Sequence, residues 1–499
     1  MSDILFVVPQ SKASLGEEFN GTLLLTTILR QKSLDVDIYR FYEADKDQGF
    51  NSFIEETSLN ILNKKPKIVS FYCRCDCYLA NIMIAKKIKE SSPDTYIVFG
   101  GPQSDVSAYD TLDEISWVDF CCRGEGETTV YPLFSALLKG EDYTEIDGLT
   151  YRDTNSNIVE NPVAPLIEDL DTLPYIDYSF VPNEAIEYTV KDSFAARLDV
   201  GRGCPFKCAY CSTNIFWQKK FRIKSADRII SEMLKINEAF GVSNFIFSHD
   251  LFTASKKKVL EFTNALRNCN TKFKWTCSSR VDTLDEETIA EMASNGMHAV
   301  YLGVESGSER MQKLIDKNLK VKDIINTVSL LLQHDIKVTA SFMYGFPEET
   351  EEDLEKTLQL VHTLYKLGVV RFQFHLCSIT QGTPYYYKYF DKLTLALNQS
   401  DQVGNFGFDE CQDFIKEHIK LFSFCYEYKS EIRDKFSDLS KYAMATIVIY
   451  DKLCMLLPNE HKDIKLTELL LEIKDIESDN PEHINYFEAA LEYINRHSA

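Results

Sequence analysis

The sequence predicts an α/β protein with two successive strand–helix alternations and a mainly helical C-terminal part. Short apolar runs of strand length alternate with amphipathic stretches of helical periodicity, and this pattern occurs twice, on either side of a proline-rich acidic connector. A chain of 499 residues, 44% of them hydrophobic, is long enough for two or three such domains, each with its own core. We therefore expect parallel sheets covered by helices.

The first alternation predicts a doubly wound, Rossmann-like sheet over residues 1–145. Its strand-length runs are ILFVV, VDIYRF, KIVSFY, TYIVFG and VDFCC. Ligands of such sheets bind in the crevice beyond the carboxyl ends of the strands. Four segments follow those ends: Pro9–Asn20, Cys73–Cys77, Gly100–Asp105 and Arg123–Glu127. A small hairpin and the connector are expected over residues 146–190.

The second alternation predicts a partial, TIM-like (βα)6 barrel over residues 191–381. Its strands are ARLDVG, NFIFS, FKWTCSS, HAVYLGV, KVTASFMYG and RFQFHL. Six units are too few for a closed eight-fold barrel, and the active site of such a fold collects at the C-terminal strand ends. Residues 382–499 are aromatic and acidic, carry no motif of assignable chemistry, and predict a helical C-terminal domain.

Composition excludes several classes of protein. The chain has 54 Lys and Arg against 76 Asp and Glu, and a net charge of -22 disfavours a nucleic-acid partner. No window approaches a membrane span, the first residues read as a core strand rather than a signal peptide, and the 14 Cys show no disulfide spacing. We expect a cytoplasmic protein with no membrane partner and with free or metal-binding thiols.

The strongest motif is GRGCPFKCAYCS, which places Cys204, Cys208 and Cys211 in a loop after the first strand of the second alternation. Three thiolates so close together can wrap one face of an iron–sulfur cluster and leave one iron open. A structural zinc ion would need a fourth ligand at short spacing, and the next candidates are His249, Cys269 and Cys277. Zinc or unliganded thiols remain alternatives.

With Tyr210 before the last cysteine, this loop resembles the signature of the radical S-adenosylmethionine (radical SAM) superfamily. The resemblance implies a 4Fe-4S cluster held by the three cysteines, its fourth iron chelating the amino and carboxylate groups of S-adenosylmethionine (SAM), and an electron donor such as flavodoxin or ferredoxin. It also implies that strand-end residues, Tyr344–Glu349 among them, line the SAM site, with polar groups for the methionine moiety and the ribose and main-chain contacts for adenine. The implied residues are Tyr210, Ser248, Asp250, Arg280, Glu305, Ser306, Tyr344 and Phe346. Taken singly, each is equally explained as a strand-end polar residue or a helix cap, and no catalytic residue is assigned.

The first domain carries the glycine motifs VFGGPQSD and CCRGEGETT. Paired glycines after a strand let a ligand approach the backbone, and GEGE at a helix start presents free N–H groups, although a tight turn explains a glycine pair alone. Together with SFYCRCDCYLAN and their place upstream of the cysteine loop, these motifs resemble the cobalamin-binding domain of cobalamin-dependent radical SAM enzymes. The resemblance covers roughly residues 1–376. The implied cobalamin contacts are Tyr72, Arg74, Gly100, Gly101, Pro102, Gln103, Gly124, Glu125, Gly126 and Glu127.

This domain departs from better known cobalamin modules, which ligate cobalt through an Asp-x-His-x-x-Gly loop. No histidine precedes His249, so this domain cannot supply that ligand. The resemblance implies that bound cobalamin has water or nothing at its lower cobalt face. Gln103 stands where relatives often have histidine. Arg74 lies either beneath cobalt or in solvent.

The cysteine triple Cys73, Cys75 and Cys77 is explained as buried or loop thiols. Methylthiotransferases hold a second cluster with widely separated cysteines, whereas this triple is tightly spaced and only Cys121 and Cys122 could join it, so a second cluster is disfavoured.

The resemblance implies methyl transfer to an unactivated carbon of a peptide or specialised metabolite, through methylcobalamin and a 5'-deoxyadenosyl radical. One alternative is a cobalamin-dependent rearrangement, ring contraction or cyclisation. Another, of a different class, is an inactive cobalamin-binding sensor or carrier.

Overall fold

The computed structural model describes residues 2–10, 20–42, 49–181, 195–396, 406–456 and 464–479. Most of the predicted Pro9–Asn20 segment and the end of the predicted connector, residues 182–190, lie outside this range. The strands are β1 (Ile4–Gln10), β2 (Val36–Tyr42), β3 (Ile68–Tyr72), β4 (Tyr96–Gly100), β5 (Phe120–Cys122), β6 (Leu149–Arg152), β7 (Ile158–Glu160), β8 (Ala196–Asp199), β9 (Gly201–Arg202), β10 (Arg222–Ile223), β11 (Asn244–Ser248), β12 (Lys274–Ser279), β13 (Met297–Glu305), β14 (Lys337–Tyr344), β15 (Arg371–Leu376), β16 (Leu393–Leu395) and β17 (Tyr426–Tyr428).

The α-helices of the described residues follow the same order. They are α1 (Asn20–Gln31), α2 (Phe50–Asn63), α3 (Tyr78–Ser91), α4 (Pro102–Glu114), α5 (Gly126–Lys139), α6 (Thr213–Phe216), α7 (Ala226–Phe240), α8 (Lys256–Arg267), α9 (Glu286–Ser294), α10 (Glu309–Leu314), α11 (Val321–Gln333), α12 (Glu351–Leu367), α13 (Pro384–Tyr389), α14 (Gln412–Glu417), α15 (Glu431–Phe436), α16 (Leu439–Leu456) and α17 (Leu466–Asp479). No helix in these ranges is long and apolar enough to cross a membrane.

The chain divides into two compact units. The first unit comprises Met1–Gly203, Ile215–Ser248 and Ala396–Tyr426. The second unit comprises Cys204–Asn214, His249–Leu395 and Glu427–Ala499. Because part of the C-terminal third falls in each unit, chain order alone does not define the domains.

The first unit contains a seven-stranded sheet with the order β2-β1-β3-β4-β5-β6-β7. Strands β1 to β5 are parallel, whereas β6 and β7 are antiparallel additions at one edge. The chain reverses its direction of progress across the sheet between β1 and β3, and ligands of doubly wound sheets bind at such a point. The predicted Rossmann-like sheet is confirmed.

Apolar side chains cover both faces of this sheet. Leu5 and Val7 of β1 face a core shared with α2 and α3, while Ile4, Phe6 and Val8 face a core shared with α1 and α5. This division follows from the alternation of side chains along a strand, and it explains why the run ILFVV is continuously hydrophobic.

The aromatic segment that precedes β17 belongs to the first unit. Phe408, Phe422 and Phe424 join the core formed with α2 and α3. The rings of Phe50 and Phe406 meet edge to face, with centroids 5.1 Å apart. Burial of these side chains packs the segment onto α2 and α3, beside the doubly wound sheet.

The second alternation gives the predicted strands. In the first unit, β8 and β11 are parallel, with Phe245 opposite Ala196. In the second unit, β12, β13, β14 and β15 are parallel neighbours in chain order. An irregularity in the pairing of β13 with β14 falls between Gly303 and Glu305, at the carboxyl end of β13. Helices α16 and α17 pack against α12.

Candidate cluster and cofactor sites

The cysteine loop is fixed by main-chain hydrogen bonds within the second unit. The N–H of Ala209 donates to the carbonyl of Ile315 at 2.9 Å, and the carbonyl of Ala209 accepts from the N–H of Tyr385 at 3.1 Å. The N–H of Cys211 donates to the carbonyl of Cys208 at 3.2 Å, which tightens the turn between these two cysteines. The part of the loop between Cys208 and Cys211 is therefore anchored to Ile315 and Tyr385 through Ala209.

The three thiols fit a cluster by their chemistry. Burial raises the pKa of Cys204 to about 11, and the nearby Cys211 and Cys208 add to the increase because like charges repel. Burial also raises the pKa of Cys208, which Lys317 and Arg280 oppose. Thiolates close enough to repel one another gain from a shared group of positive irons.

Among the described residues, no three His, Cys, Asp or Glu side chains lie close enough together to bind one metal ion. A 4Fe-4S cluster does not require it, because each thiolate binds a separate iron.

Arg280 contacts the cysteine loop directly. Its Nη1 donates to Sγ of Cys208 at 3.4 Å. Its guanidinium carbon lies 3.8 Å from the ring centroid of Phe206. Asp282 holds the other edge of the guanidinium through two hydrogen bonds of 2.8 and 2.9 Å. The residue that the resemblance assigned to SAM thus lies beside Cys208, one of the three predicted cluster ligands.

Glu305 is buried at the irregular end of β13. Its φ of 67° is unusual for a residue with a side chain. Its Oε1 accepts from Nζ of Lys317 at 2.5 Å, and the two side chains are 8% and 5% exposed. A Cβ at position 303 would lie 2.7 Å from Glu305 Oε1 and 2.8 Å from Lys317 Nζ, so Gly303 leaves room for this ion pair.

Sequence reasoning missed Lys317, which lies in the polar stretch IDKN between two helices. No motif indicates the positive φ of Glu305 or its ion pair with Lys317, so neither could be predicted from the sequence. Tyr210 belongs to the same group, because burial and the Glu305 carboxylate raise the pKa of its hydroxyl well above the usual range.

The remaining residues of the predicted SAM site differ in their exposure. Ser306 Oγ lies 3.1 Å from Thr357 Oγ1, and Tyr344 OH donates to the carbonyl of Ser437 at 2.9 Å. Both side chains and that of Phe346 are buried. The N–H groups of Gly345 and Phe346 donate to Glu349 Oε2 at 2.5 and 3.3 Å, so the main chain of this segment is engaged within the protein. Asp250 is exposed and accepts from Thr213 Oγ1 at 3.1 Å, and Ser248 ends β11 half-buried.

The glycine loop after β4 packs closely on the loop after β3. Gly101 has a φ of 105°, and a Cβ there would lie 3.0 Å from the carbonyl oxygen of Cys73 and 3.1 Å from the ring of Tyr72. Pro102 begins α4 and is exposed, whereas Gln103 is buried and its Nε2 donates to the carbonyl of Leu421 at 3.4 Å. Gly100 and Gly101 therefore make a tight turn at the ligand edge of the sheet, next to the half-exposed Tyr72.

The GEGE motif takes part in a buried ionic network in the first unit. Glu125 accepts from Arg202 Nη1 at 2.5 Å, from Arg222 Nη1 at 2.8 Å and from the N–H of Ile167 at 2.6 Å. Glu127 accepts from Arg202 Nη2 at 2.5 Å. The network joins the start of α5 to β9 and β10, so both carboxylates are engaged within the protein.

The two glycines of this motif lie outside that network. Gly124 is exposed, with its N–H donating to Asp105 at 2.5 Å, and Gly126 is half-buried at the first position of α5. A Cβ at Gly124 would lie 2.9 Å from Val163 Cγ1, and one at Gly126 would lie 3.1 Å from Leu25 Cδ1, so both glycines leave room for the protein's own side chains.

Arg74 follows β3 and is 40% exposed, with Nη2 donating to Asp76 at 2.6 Å. Burial raises the pKa of Cys77, Cys121 and Cys122 to about 12 and that of Cys73 well above its usual range. Thiols in this environment stay protonated, which is typical of buried structural cysteines.

Comparison with known proteins identifies the family. A model described as the Radical SAM superfamily matches residues 198–361. An uncharacterized methyltransferase of Pyrococcus horikoshii is 30% identical over 334 residues, which cover 67% of this chain and 72% of the relative. The chain belongs to the Radical SAM superfamily. The first resemblance drawn from the cysteine loop is thereby confirmed.

Two further similarities concern cofactors and activity. The anaerobic magnesium-protoporphyrin IX monomethyl ester cyclase of Rubrivivax gelatinosus is 28% identical over 277 residues, which span 54% of this chain and 50% of that enzyme. The solved structure of OxsB, a cobalamin-dependent S-adenosylmethionine radical enzyme with aqua-cobalamin and SAM bound, has a TM-score of 0.67 and 16% identity over 99% of this chain and 83% of that chain. The radical SAM fold with a Rossmann-like domain and helical C-terminal part is thus shared.

Proposed function

We propose that this radical SAM protein is a cobalamin-dependent methyltransferase that acts on an unactivated carbon of a peptide or specialised metabolite. The observation that carries the proposal is the fixed loop of Cys204, Cys208 and Cys211 beside Arg280, in a chain that also has the glycine turns of a doubly wound domain. The methyltransferase of Pyrococcus horikoshii supports the reaction type. The cobalamin and SAM bound in OxsB support the cofactors.

In this proposal each group of residues has a separate task. Cys204, Cys208 and Cys211 hold the 4Fe-4S cluster, and the buried Glu305 and Lys317 place charge beside the SAM site. Gly100, Gly101, Gly124 and Gly126 form the tight turns at the edge of the sheet where cobalamin binds. When bound, the cluster supplies one electron to SAM, and cobalamin carries the methyl group that is transferred.

Anaerobic reconstitution with iron, sulfide, cobalamin and SAM tests the cluster assignment. Replacing Cys204, Cys208 and Cys211 by Ala should remove the cluster spectrum and the release of 5'-deoxyadenosine while the circular dichroism spectrum remains. Cys269→Ala and Cys277→Ala are matched controls, and both should keep the cluster. A cluster retained in the triple variant would contradict the proposal.

Product mass separates methylation from its first rival. The similarity to the cyclase of Rubrivivax gelatinosus is the observation that favours cyclisation or rearrangement. A methylated product gains one CH2, whereas a rearranged product does not. Reactions with a panel of peptides and small metabolites, with dithionite or reduced flavodoxin as electron donor, should yield the heavier product. A protein that binds cobalamin but never releases 5'-deoxyadenosine would instead be a sensor or carrier.

A further inference from the structure

The guanidinium of Arg280 is held in one orientation beside a cluster ligand. Nε donates to Asp282 Oδ1 at 2.8 Å, while Nη2 donates to Asp282 Oδ2 at 2.9 Å and to the carbonyl of Lys317 at 2.8 Å. These contacts leave Nη1 to donate to Cys208 Sγ at 3.4 Å, under the ring of Phe206. The Arg280 side chain is only 7% exposed, so solvent screens its charge weakly.

A cation in this position stabilises the two oxidation states of a cluster to different extents. On reduction a 4Fe-4S cluster gains one electron, and its thiolate sulfurs become more negative. A nearby cation and an N–H donor to one of these sulfurs stabilise the reduced form more than the oxidised form. Hydrogen bonds to the sulfurs, net charge and solvent exposure are the factors by which a protein sets the potential of such a cluster.

We propose that Arg280 raises the reduction potential of the 4Fe-4S cluster through its charge-assisted hydrogen bond to Cys208. The inference rests on the proposed function, because it requires the three cysteines to bind the cluster. The electron comes from the external donor and resides on the cluster, and no covalent bond forms or breaks. Arg280 thereby makes the cluster easier to reduce before SAM is cleaved.

Asp282 provides a second test, in which the reduction potential should shift in the opposite direction. Its carboxylate is 40% exposed and orients the guanidinium, but its own negative charge disfavours the reduced cluster. In Asp282→Asn the amide oxygen still accepts a hydrogen bond from Nε, while the negative charge is gone. The potential should therefore rise in Asp282→Asn and fall in Arg280→Met.

The experiment is a redox titration of the full-length, reconstituted protein without SAM, with dithionite and mediators, monitored by the paramagnetic resonance of the reduced cluster. In Arg280→Met the ratio of reduced to oxidised cluster at a fixed potential should fall at least tenfold, a downward shift of about 59 mV or more. Arg280→Lys keeps the charge but not the planar fork, and should lie between Arg280→Met and the wild type.

Lys207→Met is the matched control, since Lys207 adjoins Cys208 but is 70% exposed. Its loss should change the ratio less than twofold. A wild-type potential in Arg280→Met with its cluster intact, or a shift of Arg280→Met and Asp282→Asn in the same direction, would overturn the inference. If Arg280→Met does not retain the cluster, a rise in Asp282→Asn supports it, and an unchanged or lower potential there overturns it. Failure of the wild type to bind a cluster would instead overturn the proposed function and, with it, this inference.

Discussion

Lys317 and Glu305 form an ion pair whose members depend on each other because both are buried. Lys317→Met removes the cation and leaves a carboxylate buried without compensation. Breaking such a pair typically costs about 3 to 5 kcal/mol, whereas replacing both members by neutral groups costs much less. We expect Lys317→Met to lower the free energy of unfolding by that amount, and Glu305→Gln with Lys317→Met to recover most of it. Urea unfolding monitored by circular dichroism measures both.

The exposed pair of Lys356 and Glu352 on α12 provides the control for this prediction. Its side chains are 48% and 78% exposed, so Lys356→Met should cost less than about 1 kcal/mol. Equal losses in Lys317→Met and Lys356→Met would show that the Glu305 carboxylate reaches solvent.

Glu349 is a second buried carboxyl group, and it gives stability a defined pH dependence. Burial raises its pKa from 4.5 to about 8, while the N–H groups of Gly345 and Phe346 oppose this increase. Between these pH values the folded protein retains a proton that the unfolded chain releases. The contribution of Glu349 is therefore complete below pH 4.5 and is lost as the pH rises to 8, at about 1.4 kcal/mol per pH unit.

Glu349→Gln should remove this component of the pH dependence, because an amide carries no titrating proton. Its oxygen still accepts from Gly345, so the loop geometry is kept. Thermal unfolding of both proteins between pH 5 and 9 measures the difference. Parallel pH profiles would mean that the Glu349 carboxyl group ionises as readily in the folded chain as in the unfolded chain.

The strands, the cysteine loop and the buried ionic network differ in how far the sequence alone predicts them. The strands of the two large sheets were largely predictable because most are short runs rich in apolar residues, and the cysteine loop was predictable because its three cysteines lie within eight residues of each other. The partners of Glu125 were not, because Arg202 and Arg222 lie 77 and 97 residues away in the sequence. No local pattern indicates a contact that arises only from the packing of α5 against β9 and β10.

The network around Glu125 makes a prediction about these elements. Glu125→Gln leaves Arg202 and Arg222, which are 9% and 4% exposed, with less negative charge beside them. We expect a loss of about 3 to 5 kcal/mol in the free energy of unfolding of the first unit. Hydrogen exchange of β9 and β10, read by mass spectrometry, should locate the loss there. Lys220→Met breaks only an exposed pair with Glu168 and should change stability by less than about 1 kcal/mol.

The C-terminal third of the chain was the part whose structure the sequence predicted least. Its aromatic residues indicate burial but not which core receives them, and Ala396–Tyr426 falls in the first unit whereas Glu427–Ala499 falls in the second. This division brings a histidine, His418, into the unit that contains the doubly wound domain. The absence of histidine before His249 therefore does not by itself exclude an imidazole ligand to cobalt.

His418 lies too far from the ligand edge of the sheet to bind cobalt. Its Nδ1 lies 3.1 Å from Oε2 of Glu114, at the C-terminal end of α4. The ligand edge of the sheet is at the other end of this helix, at Pro102, about 18 Å away at 1.5 Å per residue. His418 is the only histidine that the sequence places in the first unit. Bound cobalamin should consequently have no histidine ligand from this unit.

Paramagnetic resonance of cob(II)alamin bound to the protein tests this last prediction. An axial nitrogen splits each cobalt line into a triplet, whereas an oxygen ligand or an open position does not, so we expect unsplit lines. His418→Ala should leave the spectrum unchanged, because its ring is held by Glu114. Nitrogen triplets that persist in the wild type and vanish in His418→Ala would show that this histidine reaches cobalt. An unligated lower face favours reduction to cob(I)alamin, the nucleophile that a methyl transfer requires.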